Sequence, residues 1–154
     1  YLREIFKGHI LLKIQEEFNT LTLLVDNTIK ISFFTHKYKL IKDKINDGNL
    51  YLASVEDIGC MKLSALTGRA SNKDYIDLYF ILRHYSLSDL LDNARLKYPE
   101  LERNLILKSL VYFEDITLQD ILFKNNNDVT FEEVKNKLRH EVKNLNKRYS
   151  KAIL

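Results

Sequence analysis

The sequence predicts an α+β fold, a small antiparallel sheet followed by a helical bundle. Three observations carry that prediction. Two β-branched and aromatic runs flank Asp26-Asn27 in "TLTLLVDNTIKISFFTH". From Ser54 onward, apolar runs open on a hydroxyl residue followed three places later by an acid. The C-terminal segment spaces its apolar residues at helical intervals.

The elements follow in order. Leu2, Ile5, Phe6, Ile10, Ile14 and Phe18 recur at helical spacing, and Asn19 offers a stop, so residues 2–18 are predicted as a helix. Asp26 and Asn27 tolerate the positive φ of a tight turn, which makes the next two runs a hairpin. In its second strand Ile29, Ile31 and Phe33 share a face predicted to be core; Lys30, Ser32 and Phe34 share the other. "INDGNLYLAS" places a turn at Asp47-Gly48 and a short strand over 50–53. Ser54-x-x-Asp57, Ser71-x-x-Asp74, Ser86-x-x-Asp89 and Thr130-x-x-Glu133 each fit a capping box, in which hydroxyl and carboxylate satisfy free N–H groups of the first turn. Pro99 fits the first turn of a further helix through "ELERNLILKSLVYF". The last helix carries Phe131, Val134, Leu138, Val142, Leu145 and Tyr149 on one face, after a polar loop "KNNND" at 124–128.

A chain of 154 residues with 45% hydrophobic content predicts one packed unit, with a helix-plus-sheet portion over 1–54 and a helical portion over 55–154. Its 24 basic and 21 acidic residues leave a net charge of +3, too near balance to argue by itself for nucleic acid or an anionic membrane. One cysteine, Cys60, excludes an internal disulfide. No run approaches the roughly 18 apolar residues of a spanning helix, and "YLREIFKGH" is charged where a signal peptide is apolar. A soluble, cytoplasmic protein with no membrane partner is expected. Because the chain opens on Tyr1 and its only methionine, Met61, lies inside a predicted helix, it is expected to be a fragment.

The residues that could carry chemistry cluster around one helix-to-helix junction. Lys62 has Ile58, Gly59, Ala65 and Leu66 one turn away on either side, so a cation rises from a packed face. Arg69 follows seven residues on; if the helix persists, the two charges share a side about 10 Å apart. Asp77 is set in the apolar run "YIDLYFIL" and shares a helix face with Asp74, with Lys73 one turn before it. The connection "TGRASN" is short, so the two helices should pack together and set Asp77 against Lys62, Arg69 or something they both hold. Structural readings stand beside this one. Asp74 fits a capping position, Lys73 and Asp77 a plain ion pair, Lys62 an ammonium reaching past its packed stem to water, and Arg69 a charge at a helix end. Charges on apolar surfaces need partners, however, and a shared polar cluster satisfies several at once.

Other candidates are weaker. Lys135, Arg139, Lys143, Lys147 and Lys151 form a basic stripe that could meet phosphates, or simply a solvated helix face. His9, His36, His84 and His140 lack ligand spacing, and no metal site of histidine or cysteine is predicted. No Gly-rich phosphate loop, Gly-x-Ser-x-Gly elbow or His-Glu-x-x-His is present.

The segment "SVEDIGCMKLSALTGRASNKDYIDLYFIL" resembles the signature of the AbiEii/AbiGii toxin group of the nucleotidyltransferase superfamily. Asp57, Lys62, Ala65 and Arg69 match its "D-[LI]-x-x-x-K-x-x-A-[LI]-x-x-R", and Lys73, Asp74 and Asp77 its "K-D-[FY]-x-D-[LI]-[YF]". "IKISFFTHKY" is similar to the family's "K-[IV]-x-F-F" strand, and "LKSLVYFEDI" to its later "L-x-Y-F-x-D" helix. The resemblance implies an incomplete nucleotidyltransferase-like sheet. It also implies transfer of a nucleoside monophosphate from a nucleoside triphosphate, GTP or ATP with Mg²⁺, in a type IV toxin–antitoxin or abortive-infection system. An RNA acceptor and a cognate antitoxin are the partners it brings. By this likeness Lys62, Asp74 and Asp77 are the catalytic set, and Lys62, Arg69 and Lys73 the phosphate-binding set. The superfamily's Gly-Ser or Gly-Gly turn and Asp-x-Asp or Asp-x-Glu metal pair are not found in these residues, and Ser32 stands where a third carboxylate would align. This piece alone is therefore expected not to catalyse transfer, the missing motifs lying upstream in a parent of which it is the C-terminal portion. The alternative is a non-catalytic helical binding module with a structural polar cluster.

Overall fold

Asp26 and Asn27 both adopt left-handed backbone, φ 50° and 57°, the pair of values a two-residue hairpin turn needs. A computed structural model of the chain describes residues 1–124 and 127–152. Around that turn β2 (Thr20–Val25) pairs antiparallel with β3 (Ile29–Phe34), Val25 opposite Ile29 and Thr20 opposite Phe34. The other edge of β2 is taken by β1 (Leu11–Glu17), giving a three-stranded sheet in the order β1-β2-β3.

The predicted helix over 2–18 is therefore corrected. Only α1 (Leu2–Ile5) is helical, and the chain turns at Gly8 with φ 92°. Strand pairing overrides the helical spacing because β2 presents a free row of N–H and C=O groups. The chain enters that pairing under a clamp. Asp26 accepts the Ile10 N–H at 2.9 Å and its own N–H donates to the Ile10 carbonyl at 2.9 Å. His9 Nδ1 lies 2.6 Å from its other carboxylate oxygen. These bonds hold the Asp26 carboxyl below its usual range. The face of Ile29, Ile31 and Phe33 is not the core it was expected to be. Ile29 and Phe33 are exposed and Ile31 is half-buried, although Ile29 and Ile31 lie opposite the buried Val25 and Leu23 of β2.

The chain divides into two compact units, Tyr1–Lys39 and Leu40–Leu154. One unit with a change of character at 54/55 was expected; the break lies at 39/40. Residues 40–54 belong with the helices because the Ile41 and Lys42 N–H groups donate to the Asp57 carboxylate, at 3.0 and 3.1 Å. This second unit opens with a hairpin, β4 (Ile45–Asp47) and β5 (Leu50–Leu52), turned at Gly48 with φ 63°.

Five helices follow: α2 (Val55–Gly68), α3 (Asn72–Ile81), α4 (Leu87–Lys97), α5 (Arg103–Val111) and α6 (Phe131–Ala152). The expected caps stand at Ser54 and Ser86, whose hydroxyls accept from Asp57 N–H and Asp89 N–H. Thr130 and Glu133 complete the box reciprocally, the hydroxyl accepting from Glu133 N–H at 3.2 Å and the carboxylate from Thr130 N–H at 2.8 Å. Pro99 does not lie in the first turn of α5. It sits in the turn after α4, and the helix starts past Glu102. Helix α2 packs on α3, α4 and α5, and α6 on α3, α4 and α5. Leu63, Leu78, Leu90, Leu110 and Val134 are fully buried between them. Val134, Leu138 and Leu145 face this core as predicted; the side chains of Tyr149 and Lys151, and Asn125-Asn126 of the polar loop, lie outside the described residues.

Candidate functional site

Helices α2 and α3 are joined by the three residues Arg69, Ala70 and Ser71, which leaves them packed side by side. Lys62 leaves the α2 surface and meets both predicted carboxylates of α3. Its Nζ lies 3.0 Å from Asp74 Oδ1 and 2.6 Å from Asp77 Oδ2. Asp74 is buried and Asp77 half-exposed. Burial would lower the Lys62 pKa, but the hydrogen bonds and charges of Asp77 and Asp74 outweigh it and raise it. The ammonium is thus charged at any neutral pH.

Asp74 could have been a cap and no more. The Ser71 hydroxyl instead accepts from Lys73 N–H at 3.3 Å, and the Asp74 carboxylate is given to Lys62. Lys73 is exposed and makes no ion pair with Asp77. Together with Lys62, Ile76, Asp77, Asp120, Ile121 and Leu122 it lines an open pocket of about 370 Å³.

Arg69 departs from expectation. Helix α2 ends at Gly68, and Arg69 is its extended C-cap, φ −141° and ψ 121°. The helical repeat that would have set it beside Lys62 has stopped, and Arg69 is exposed and does not line this pocket.

Two residues, Asp120 and Lys97, carry no sequence signal for their places. Asp120 reaches the pocket on a segment held by Asn72. Lys97 is buried at the end of α4, its Nζ 2.7 Å from Asp57 Oδ1 with both side chains fully inaccessible. Asp57 also accepts from the Ser54 hydroxyl at 2.9 Å and from Ile41 and Lys42. Burial pushes its pKa up, but the bonds from Lys97, the two backbone N–H groups and Ser54 win and hold it at about 2. A carboxylate so occupied is a structural centre and lies outside the pocket. Cys60 offers no nucleophile, as burial pushes its thiol up to about 12, with the Asp57 charge adding to the effect.

Among the described residues no group of three His, Cys, Asp or Glu is placed to hold a metal ion, and Asp74 and Asp77 are spent on Lys62. The basic stripe of α6 is partly neutralised: Lys135 and Arg139 lie 3.4 and 3.6 Å from Glu132 and rest against the Phe113 ring. No helix among the described residues is long and apolar enough to cross a membrane.

Comparison with known proteins adds three findings. The family model "Nucleotidyl transferase AbiEii toxin, Type IV TA system" matches residues 8–149. The uncharacterized protein aq_aa25 of Aquifex aeolicus (strain VF5) is 42% identical over 101 residues, 63% of this chain and 48% of its own length. The chain therefore spans about half the length of that curated relative. The crystal structure of JHP933 from Helicobacter pylori shares the α+β fold at a TM-score of 0.51 and 15% identity, covering 93% of this chain and 66% of that one.

Proposed function

The chain belongs to the AbiEii nucleotidyl transferase toxin family of type IV toxin–antitoxin systems, and from that membership we propose that its Lys62 pocket grips the phosphates of a nucleoside triphosphate. The whole protein would then transfer a nucleoside monophosphate to an acceptor, with RNA as the acceptor class and a cognate antitoxin as its partner, in the cytoplasm. The observation that supports this most is the placement of Lys62, a cation held between Asp74 and Asp77 at the wall of an open pocket that also receives Lys73.

The chemistry asks for charge in a fixed place. Transfer joins an acceptor oxygen to the α-phosphorus and expels pyrophosphate, so negative charge must be met by groups that do not reorganise. Asp74 and Asp77 fix the Lys62 ammonium from one side, which leaves its remaining hydrogen-bonding capacity for a phosphate oxygen. Lys73, exposed at the first turn of α3, supplies a second cation to the pocket lining. Metal-dependent steps are assigned to no residue of this chain.

One observation favours the rival reading, a helical binding module with a structural polar cluster. Lys62 already has two carboxylate partners, so its charge is met without any ligand. Calorimetric titration of ATP and GTP, with Mg²⁺, into the wild-type chain and Lys62→Ala separates the two. Under the proposal the wild type binds and Lys62→Ala loses at least about tenfold in affinity, the worth of one charge-assisted hydrogen bond. Equal binding by both proteins removes Lys62 from the site.

A further inference from the structure

We infer that Asn72 is a positioning residue for the Lys62 pocket: its side-chain amide holds Gln119 by both backbone groups and so sets the wall formed by residues 120–122. The inference rests on the pocket being the triphosphate site proposed above.

Asn72 opens α3, one residue ahead of Lys73, and its side chain is turned away from water. Its Nδ2 donates to the Gln119 carbonyl at 2.8 Å, and its Oδ1 accepts the Gln119 N–H at 3.0 Å. Two further bonds run beside this pair. The Asn72 N–H donates to the Thr117 carbonyl at 3.2 Å, and the Thr117 N–H to the Ala70 carbonyl at 3.0 Å, forming a one-rung parallel bridge between Ser71 and Thr117.

Among the described residues little else holds 118–120. Residues 118–120 are exposed, with Leu118 and Leu122 at 75% and 95%, so apolar burial contributes little to its place. Directional hydrogen bonds must do what packing does elsewhere, and the Asn72 amide supplies the pair nearest Asp120. With the amide removed, the Gln119 N–H and C=O turn to water and the wall loosens. Asp120, Ile121 and Leu122 then no longer hold their places in the lining they share with Lys62 and Asp77. A site whose wall must be ordered on binding binds more weakly.

The test combines calorimetry with ATP and GTP and amide hydrogen exchange on the full 154-residue chain. Asn72→Ala is expected to bind triphosphate about tenfold more weakly, the upper range for one net hydrogen bond. It should also speed exchange of the Gln119 amide while the Leu63 and Leu110 amides exchange as in wild type. Gln119→Pro removes the donor from the other side of the contact without touching α3. It should reproduce the loss, and the double variant should lose no more than either alone. If Asn72→Ala disturbs the helical core, Gln119→Pro decides. Wild-type affinity in Gln119→Pro, or losses that sum in the double variant, overturns the inference. If Lys62→Ala loses binding while Asn72→Ala and Gln119→Pro keep it, this inference falls and the proposed function stands. If the wild type binds no triphosphate, both fall together.

Discussion

At the scale of single residues, the strongest commitment in the molecule is Asp57 with Lys97. Both side chains are fully inaccessible, and the Lys97 ammonium lies 2.7 Å from the Asp57 carboxylate. Removing one partner leaves an uncompensated charge, so Lys97→Met is expected to cost about 3–5 kcal/mol, read as a lower urea midpoint. The pair also makes a pH prediction. Asp57 is held at about 2, below its usual 3.8, so its stabilisation is fully present above about pH 4 and lost as pH falls towards 2. Denaturation midpoints between pH 7 and 3 should fall in the wild type and fall less in Asp57→Asn. A wild-type midpoint flat across that window would contradict the assignment. The sequence showed the Lys62 cluster, because Asp77 sat among apolar neighbours and the link between helices was short. It could not show the Asp57 pair: forty residues separate the partners, and Lys97 reads as an ordinary cation closing a helix. Arg69 was misplaced for a related reason. Spacing assumes a helix that continues, and α2 stops one residue too soon.

At the scale of elements, caps were legible and strand edges were not. A capping box is local, completed within four residues, so Ser54, Ser86 and Thr130 could be read directly. Thr130 carries both halves of its box at the head of the long, polar α6. Thr130→Ala should therefore cost about 1 kcal/mol, measured as a shift in denaturation midpoint, with Thr130→Ser near wild type. If alanine and threonine were equivalent there, the packing of Val134 and Leu138 would be enough to start the helix. Residues 11–17 show the opposite case. Their apolar spacing fits a helix as well as a strand. What decides is pairing along the free edge of β2 and the Asp26 clamp on Ile10, sixteen residues away. Asp74 adds that a cap motif can be borrowed: Ser71 caps alone, and the acid that would have completed the box serves the pocket.

At the scale of the whole molecule, the two units differ in what holds them. Among the described residues, the buried apolar side chains of Tyr1–Lys39 are Leu23 and Val25, while the rest lie in Leu40–Leu154. Leu12, Ile14, Ile29 and Phe34 of the sheet are exposed. With so few buried apolar side chains, this unit is expected to be the less stable of the two. Local opening should follow that division. In native-state hydrogen exchange the β1 and β2 amides are expected to exchange through openings well below the global unfolding free energy. Amides of Leu63, Leu78 and Leu110 should exchange only with global unfolding, and urea should accelerate them much more steeply. The site residues Lys62, Asp74 and Asp77 all stand on the second unit, so triphosphate binding should protect α2 and α3 and leave the β1 and β2 amides unchanged. Sheet amides as protected as those of α2 would show instead that the first unit draws its stability from more than its own core.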